Sequence, residues 1–257
     1  MRRTTAALAV TMAALCAAAL AEDRQPVRSA TEFLSPEMRA EQADRNRNPA
    51  MLWVQEGERL WSKADGKGST ACAGCHGDAR RSMRGVAARY PAFDTQRARL
   101  MNLELRINTC RTDYQRAPAL AYESEPLLAL TAYVAIQSIG MPVAIATTGP
   151  AAPHIAAGRR FWTTPQGQFD LACRQCHSEN VGRRMRGDTI SSGLGTGYPA
   201  YRLAWQTIGS LHRRLNVCQK GVRAEDLEPG SPQHLALELF LATRALGQPL
   251  EAPGLRR

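Results

Sequence analysis

Two segments of this chain carry two cysteines three residues apart with a histidine directly after: Cys72-Ala-Gly-Cys75-His76 and Cys173-Arg-Gln-Cys176-His177. CxxCH is the attachment signature of c-type haem. The two thiols form thioethers to the haem vinyl groups, and the histidine ligates iron. The same spacing can serve zinc binding or dithiol redox chemistry. Two copies, each with its own histidine, favour two covalently attached haem c groups. Cys72, Cys75, Cys173 and Cys176 are then the attachment points, and His76 and His177 the proximal ligands. A lone cysteine follows each motif, Cys110 in the first case and Cys218 in the second. An ordinary carrier of this class completes its iron with Met or His, so the extra cysteine needs a reason.

Candidates for the sixth iron position are few. Met83 and Met185 follow the histidines too closely to reach the opposite haem face, and are read as core packing. His154, His212 and His234 have no counterparts in the first half of the chain, and His154 reads as a surface residue at a helix start. Cys110 and Cys218 recur in equivalent places, well downstream. A thiolate is a strong ligand to ferric iron and lowers haem potential. His/Cys ligation is therefore predicted at both irons. The alternative, a disulfide between the two lone cysteines, suits the one-per-half placement less well.

A thiolate is also a nucleophile, and the two lone cysteines differ in surroundings. Near Cys218 lie His212, Arg213, Arg214, Lys220 and Arg223, with no acid before Glu225. Near Cys110, Arg106 and Arg111 are balanced by Glu104 and Asp113. The second site has the more positive field, which attracts anions and stabilises thiolate. Arg214 lies one helical turn before Cys218, where a guanidinium can grip a sulfonate-like group. Arg213, Lys220 and Arg223 read as solvated surface charges. Arg106 occupies the place of Arg214 in the first half, so that arginine can also serve the fold or a haem propionate.

These residues are positioned by an internal repeat. Gly57-Glu-Arg-Leu-Trp61 matches Gly158-Arg-Arg-Phe-Trp162, Met83-Arg84-Gly85 matches Met185-Arg186-Gly187, and Tyr90-Pro91-Ala92 matches Tyr198-Pro199-Ala200. Arg106-Ile-Asn-Thr-Cys110 matches Arg214-Leu-Asn-Val-Cys218. The second copy carries a net insertion around the Gly-rich stretch Ser191 to Gly197. Apolar spacing predicts helices over 50–62, 95–109, 154–163 and 202–217. Two further helices begin near Pro126 and Pro232 and stop near Gly140 and Gly247. No alternating strand pattern stands out. The fold class is mostly α, a tandem repeat of two cytochrome c-like domains with one covalent haem each: residues 51–143 and 154–257, the latter holding the active-site haem, joined by a linker at 144–153.

The 257-residue chain has a net charge of +10 and seven cysteines. Residues 1–21 read as a secretory signal peptide, with Arg2 and Arg3 before an apolar run and an Ala19-Leu20-Ala21 cleavage site. Its loss removes two arginines and no acid, leaving +8 from +10, and leaves six cysteines by removing Cys16. The run is too short and Ala-rich for a retained membrane span, and export argues against a nucleic-acid partner. Residues 22–50 are a polar N-terminal extension, either a free arm or a partner-binding segment.

The two CxxCH repeats, the Tyr-Pro-Ala element and above all Arg214-Leu-Asn-Val-Cys218-Gln219 resemble the SoxA subunits of the SoxAX cytochromes, in their dihaem form. The resemblance covers the chain from the expected cleavage site onward. It implies an L-cysteine S-thiosulfotransferase of the periplasm that couples thiosulfate oxidatively to a cysteine of the SoxY carrier in SoxYZ. The product is a cysteine S-thiosulfonate, and two electrons pass through the haems to cytochrome c. It also implies that Cys218 is catalytic and able to carry a persulfide, that Arg214 binds substrate, that Cys110 is only a ligand, and that a monohaem SoxX completes a heterodimer. The alternatives are a dihaem thiosulfate dehydrogenase forming tetrathionate, a plain electron-transfer cytochrome and, more remotely, a dihaem peroxidase.

Overall fold

A computed structural model describes residues 26–185 and 187–257. The expected signal segment 1–21, with Cys16, and Arg186 of the repeat lie outside the described residues. The chain enters through a 3-10 turn at Ala30–Phe33 and α1, Pro36–Ala43. The first half continues with α2 (Met51–Ser62), α3 (Cys72–His76), α4 (Ala79–Ser82), β1 (Ala92–Asp94), β2 (Arg99–Met101), α5 (Leu103–Cys110) and α6 (Glu125–Ile136). The second half contains α7 (Ala152–Thr163), α8 (Cys173–His177), β3 (Arg184–Met185), β4 (Asp188–Thr189), β5 (Ala200–Arg202), β6 (Thr207–Gly209), α9 (Leu211–Gly221) and α10 (Pro232–Arg244). A last strand, β7 (Gly254–Arg256), pairs in parallel with β5.

The expected helices at 50–62 and 154–163 are present, and the architecture is mostly helical. The helices expected over 95–109 and 202–217 are shorter, because a hairpin occupies the first part of each range. β1 pairs with β2 and β5 with β6, both antiparallel. Ala98 and Gln206 take left-handed φ values of 49° and 52° and reverse the chain between the strands. Helix begins only where a side chain caps it: Asn102 accepts from the Leu105 N–H and Ser210 from the Arg213 N–H. The buried Leu100 and Ile208 belong to strands, not to a helical stripe, and Leu203 is exposed. α6 and α10 end at Ile136 and Arg244, a few residues before Gly140 and Gly247.

Each half is built on one helix crossing. α2 lies against α6 and α7 against α10. A Cβ at Gly57 would stand 2.1 Å from the Ala129 carbonyl oxygen, and one at Gly158 would stand 2.0 Å from that of Ala236. Only glycine permits such an approach. Four residues later, Trp61 and Trp162 are buried and fill the space beyond each crossing. α6 is apolar on all sides, with every residue from Leu127 to Ile136 buried, as a central helix must be.

The halves meet about an approximate local two-fold axis. Pro142 forms an antiparallel bridge with Pro249, its counterpart in the repeat. Around it the Val143 N–H donates to the Gln248 carbonyl at 2.9 Å, and the Leu250 N–H to that of Met141 at 2.8 Å. Ile208, Leu250 and Ala252 of the second half join the first half's core. The N-terminal extension, which the sequence left undecided, packs on the second half. Asn48 Nδ2 donates to the Pro253 carbonyl at 3.3 Å, the Leu255 N–H donates to Gln42 Oε1 at 2.9 Å, and Ser29 Oγ donates to Glu251.

A polar cluster is buried where the halves meet. Asn102 Nδ2 donates to Tyr122 Oη at 2.6 Å and to Glu238 Oε2 at 3.1 Å. The His212 ring stacks between Tyr122, 5.4 Å away, and His234, 4.5 Å away. The Gly230 N–H donates to His212 Nδ1 at 2.9 Å, which leaves the ring proton on Nε2, 2.9 Å from Glu238 Oε2. His212 and His234 are fully buried here. His212 therefore does not belong to the positive field of Cys218: six residues of helix turn it about 120° round α9, into the cluster between the halves. Burial, then the neighbouring His212, hold His234 down to about 4. Burial and the like charge of Glu238 push Glu104 up to about 8.

Replacing Gly158 with Ala is expected to cost about 1–3 kcal/mol by overpacking, seen as a lower thermal midpoint. Gly57→Ala should act alike. A raised carboxyl pKa means that the folded state holds the proton between pH 4.5 and about 8, so Glu104 lowers stability as pH rises through that window, by up to about 1.4 kcal/mol per pH unit. Glu104→Gln should flatten the fall in thermal midpoint between pH 5 and 9. An unchanged profile would refute the assignment.

Candidate functional site

The two CxxCH segments form the short helices α3 and α8, each entered from an extended alanine, Ala71 and Ala172. One helical turn brings residues i, i+3 and i+4 to a common face, so both thiols and the imidazole face one pocket. The repeated tryptophans back the histidines. The Trp61 ring centre lies 5.7 Å from that of His76, and Trp162 lies 6.0 Å from His177. Trp61 Nε1 also donates to the Gly77 carbonyl at 3.0 Å and fixes the end of α3.

The second histidine is held more fully than the first. His177 Nδ1 lies 2.8 Å from the Ser191 carbonyl oxygen. A carbonyl only accepts, so Nδ1 carries the proton and Nε2 presents its lone pair to the pocket, the arrangement that orients an imidazole towards a metal. The adjoining Ser192 carbonyl accepts from Arg244 Nη1 at 2.6 Å, and the Arg244 guanidinium lies 4.3 Å over Trp162. Gly193, at φ 73°, lies flat against the imidazole, and a Cβ there would be 3.0 Å from His177 Cγ. The Gly-rich insertion of the second repeat thus lies directly against the histidine.

α5 and α9 bring the lone cysteines to the pockets. The Cys110 thiol is close enough to interact electrostatically with Cys72 and Cys75. Cys218 lies close enough to interact with the His177 side chain and with Cys173 and Cys176. The structure therefore assembles Cys72, Cys75, His76 and Cys110 around one pocket, and Cys173, Cys176, His177 and Cys218 around the other. All six cysteines in the described residues are free thiols, so the disulfide alternative is not formed. Cys72, Cys75, His76 and Cys110 in one half, and Cys173, Cys176, His177 and Cys218 in the other, are donor sets that would suit a covalently attached haem c.

The two facing sulfurs differ in charge state. Burial pushes the Cys110 thiol up; Arg106 opposes this, and Asp113 adds to it. Burial also acts on Cys218, but its neighbours His177, Arg214 and Arg202 together outweigh it and bring the thiol down to about 7. Burial opposes the charge on Arg214, and the neighbouring Cys218, Tyr198 and Asp188 more than offset it. The second site thus favours the thiolate more than the first.

Other expected roles are sorted by the same geometry. Met83 packs against the first core, but Met185 lies 53% exposed on β3, so the packing expectation fails in the second half. The β3–β4 hairpin, which the first half lacks among the described residues, holds it at the surface. His154 is not a simple surface residue: it is half-buried, 5.6 Å from Phe93 of the first half. Arg213 stacks on Trp205, Arg223 on Phe169, and Lys220 pairs with Asp226 at 2.8 Å. Those three are surface cations, as expected. Sequence reasoning missed the Ser191 carbonyl, Gly193 and Arg202. The insertion's glycines and the position two residues beyond Tyr198-Pro199-Ala200 were the available signals.

The cytochrome c domain of the SoxA/TsdA family matches the chain twice, over residues 56–143 and 157–250. The chain is 35% identical over 226 residues to the L-cysteine S-thiosulfotransferase subunit SoxA of Pseudaminobacter salicylatoxidans, covering 88% of this chain and 79% of that one. It is 32% identical over 237 residues to the same subunit of Paracoccus pantotrophus, covering 92% and 81%. The crystal structure of SoxXA from P. pantotrophus matches with a TM-score of 0.88 and 32% identity, covering 93% of this chain and 90% of that chain. Domains of this kind carry covalent haem c.

Gly193→Ala should displace the His177 ring and lower haem occupancy at the second motif. Mass analysis of the proteolytic peptides is the check. The Cys173–Cys176 peptide should lose adduct while the Cys72–Cys75 peptide keeps it. Equal occupancy with an unchanged ferric spectrum would show that the glycine contact does not matter.

Proposed function

The chain belongs to the SoxA family, and from that premise we propose that it is the L-cysteine S-thiosulfotransferase subunit that joins thiosulfate to a cysteine of the SoxY carrier in SoxYZ. The observation that carries this is the pairing of His177 and Cys218 across one pocket beside Arg214, with the Cys218 sulfur biased towards thiolate. The first pocket has the same ligand set without that bias. In this reading the protein binds two haem c groups, exported to the periplasm by residues 1–21. SoxX is its partner, by likeness to the SoxXA structure. No helix among the described residues is long and apolar enough to cross a membrane.

Haem, when bound, supplies one-electron acceptance and a path to cytochrome c. The chain's own residues do the rest. Arg214 offers paired N–H donors to the sulfonate oxygens of thiosulfate and so directs the terminal sulfur towards Cys218. A sulfur–sulfur bond forms between the Cys218 thiolate and that terminal sulfur, and two electrons leave. The product on the chain is a Cys218 S-thiosulfonate. The carrier's cysteine thiolate then attacks the transferred sulfur, the bond to Cys218 breaks, and Cys218 departs as thiolate. The sum is thiosulfate plus carrier thiolate giving carrier S-thiosulfonate and two electrons. A low-pKa leaving sulfur speeds the second step, which suits the charge environment of Cys218. His76 and Cys110 hold the first haem for electron passage. Thiosulfate dehydrogenase activity is the weaker reading, since the named relatives are SoxA subunits.

In the complex with SoxX, Cys218→Ala should lower thiosulfate-dependent conjugation of the carrier by about 100-fold or more, as loss of a nucleophile does. Cys110→Ala should shift the first haem's potential and retain conjugation. Full turnover in Cys218→Ala would leave a plain electron carrier. Tetrathionate as sole product of the wild type would favour the dehydrogenase.

A further inference from the structure

The repeat aligns Asp94 with Arg202: each is the third residue of the strand that follows the repeated Tyr-Pro pair, and each strand runs into the hairpin before a cysteine-bearing helix. In the first half, Asp94 Oδ2 lies 3.2 Å from Arg106 Nη1 and 3.2 Å from Arg97 Nη1. Arg106 is the counterpart of Arg214. The first half's arginine is therefore neutralised by its own strand. In the second half the acid is replaced by another guanidinium. Among the described residues no carboxylate stands within ion-pair distance of Arg202 or Arg214.

Arg202 is held but not satisfied. Its guanidinium stacks 5.1 Å over Trp205, and Nη1 donates to Tyr198 Oη at 3.4 Å, a weak bond. Its Nε is buried and meets no acceptor, a condition that costs free energy unless a ligand supplies one. Tyr198 packs on the same core of Trp162, Leu211 and Phe240 as Cys173 and Leu215, the residue after Arg214, and Arg202 lies close enough to Cys218 to act on its charge, so this corner of β5 belongs to the second site. The other charged groups near it are few. Arg256 of β7 is engaged with Glu251 at 3.2 Å, and Asp188 of β4, which acts on Arg214 from a distance, is paired with Arg257 at 3.6 Å.

We propose that Arg202 is a second substrate-binding residue, forming with Arg214 a two-guanidinium clamp for a sulfur oxyanion dianion at Cys218. The exchange of Asp94 for Arg202 is then what separates the reacting half from the half that only holds haem. One guanidinium neutralises one charge, and thiosulfate carries two. A pair also fixes the anion's orientation, so that its terminal sulfur, not an oxygen, meets Cys218. This inference rests on the thiosulfate reading of the site.

The test uses the loaded complex with SoxX and the carrier. Arg202→Asp installs the pair that the first half already contains, so it is expected to fold with wild-type ferric spectra and thermal midpoint. Its KM for thiosulfate should rise about ten- to a hundredfold, the loss of one charged hydrogen-bonding partner, with a smaller change in kcat. Arg202→Lys should recover part of the affinity, and sulfate should inhibit the wild type competitively but Arg202→Asp hardly at all. A folded Arg202→Asp with unchanged KM and unchanged sulfate inhibition would overturn the proposal. If Arg202→Asp does not fold, Arg202→Gln carries the same comparison. Should the wild type make tetrathionate and leave the carrier unmodified, the transfer reaction falls, while the KM comparison still decides the role of Arg202.

Discussion

The rest of the molecule serves one meeting: the imidazole of His177 on a short helix and the sulfur of Cys218 on a longer one, brought to the same place. Neither partner can set that meeting alone. His177 is fixed from behind by the Ser191 carbonyl, the glycine at 193 and Trp162. Cys218 is fixed by the capped start of α9 and by the hairpin that delivers it. The glycine crossings of α2 with α6 and α7 with α10 hold the tryptophans that back each histidine. Loosen any of these and the ligand distance changes before the ligands do.

On this duplicated frame the chain builds two unlike sites. The helices, hairpins and ligand types repeat, so the difference has to come from side chains around them. It does: an acid in β1 against an arginine in β5, an inserted glycine loop behind one histidine, and a thiol raised in one pocket and lowered in the other. Repetition supplies the arrangement of histidine and cysteines twice, and a handful of charges makes the two copies unlike. The buried cluster between the halves has no such part in the ligand sets.

Much of this was legible in the sequence because covalent attachment leaves a rigid spacing. The CxxCH motifs, the lone cysteines, the paired Gly and Trp positions and the end helices are all local patterns with direct physical causes. The hairpins were not legible. Leu100 and Ile208 sit at positions compatible with both periods, and three-residue strands are too short to show alternation. His212 misled because linear nearness to Cys218 says nothing about helix phase until the helix start is known. Arg202 was visible only as a misfit in the repeat, an arginine aligned with an aspartate, and its meaning required knowing what that aspartate binds.

The clasp between residues 29–48 and 251–255 joins nearly opposite ends of the described chain. Contacts so distant in sequence close late, because the long intervening loop must first be ordered. Both CxxCH segments lie inside that loop. Breaking the clasp would therefore free both ends at once while leaving each half's own helix crossing intact.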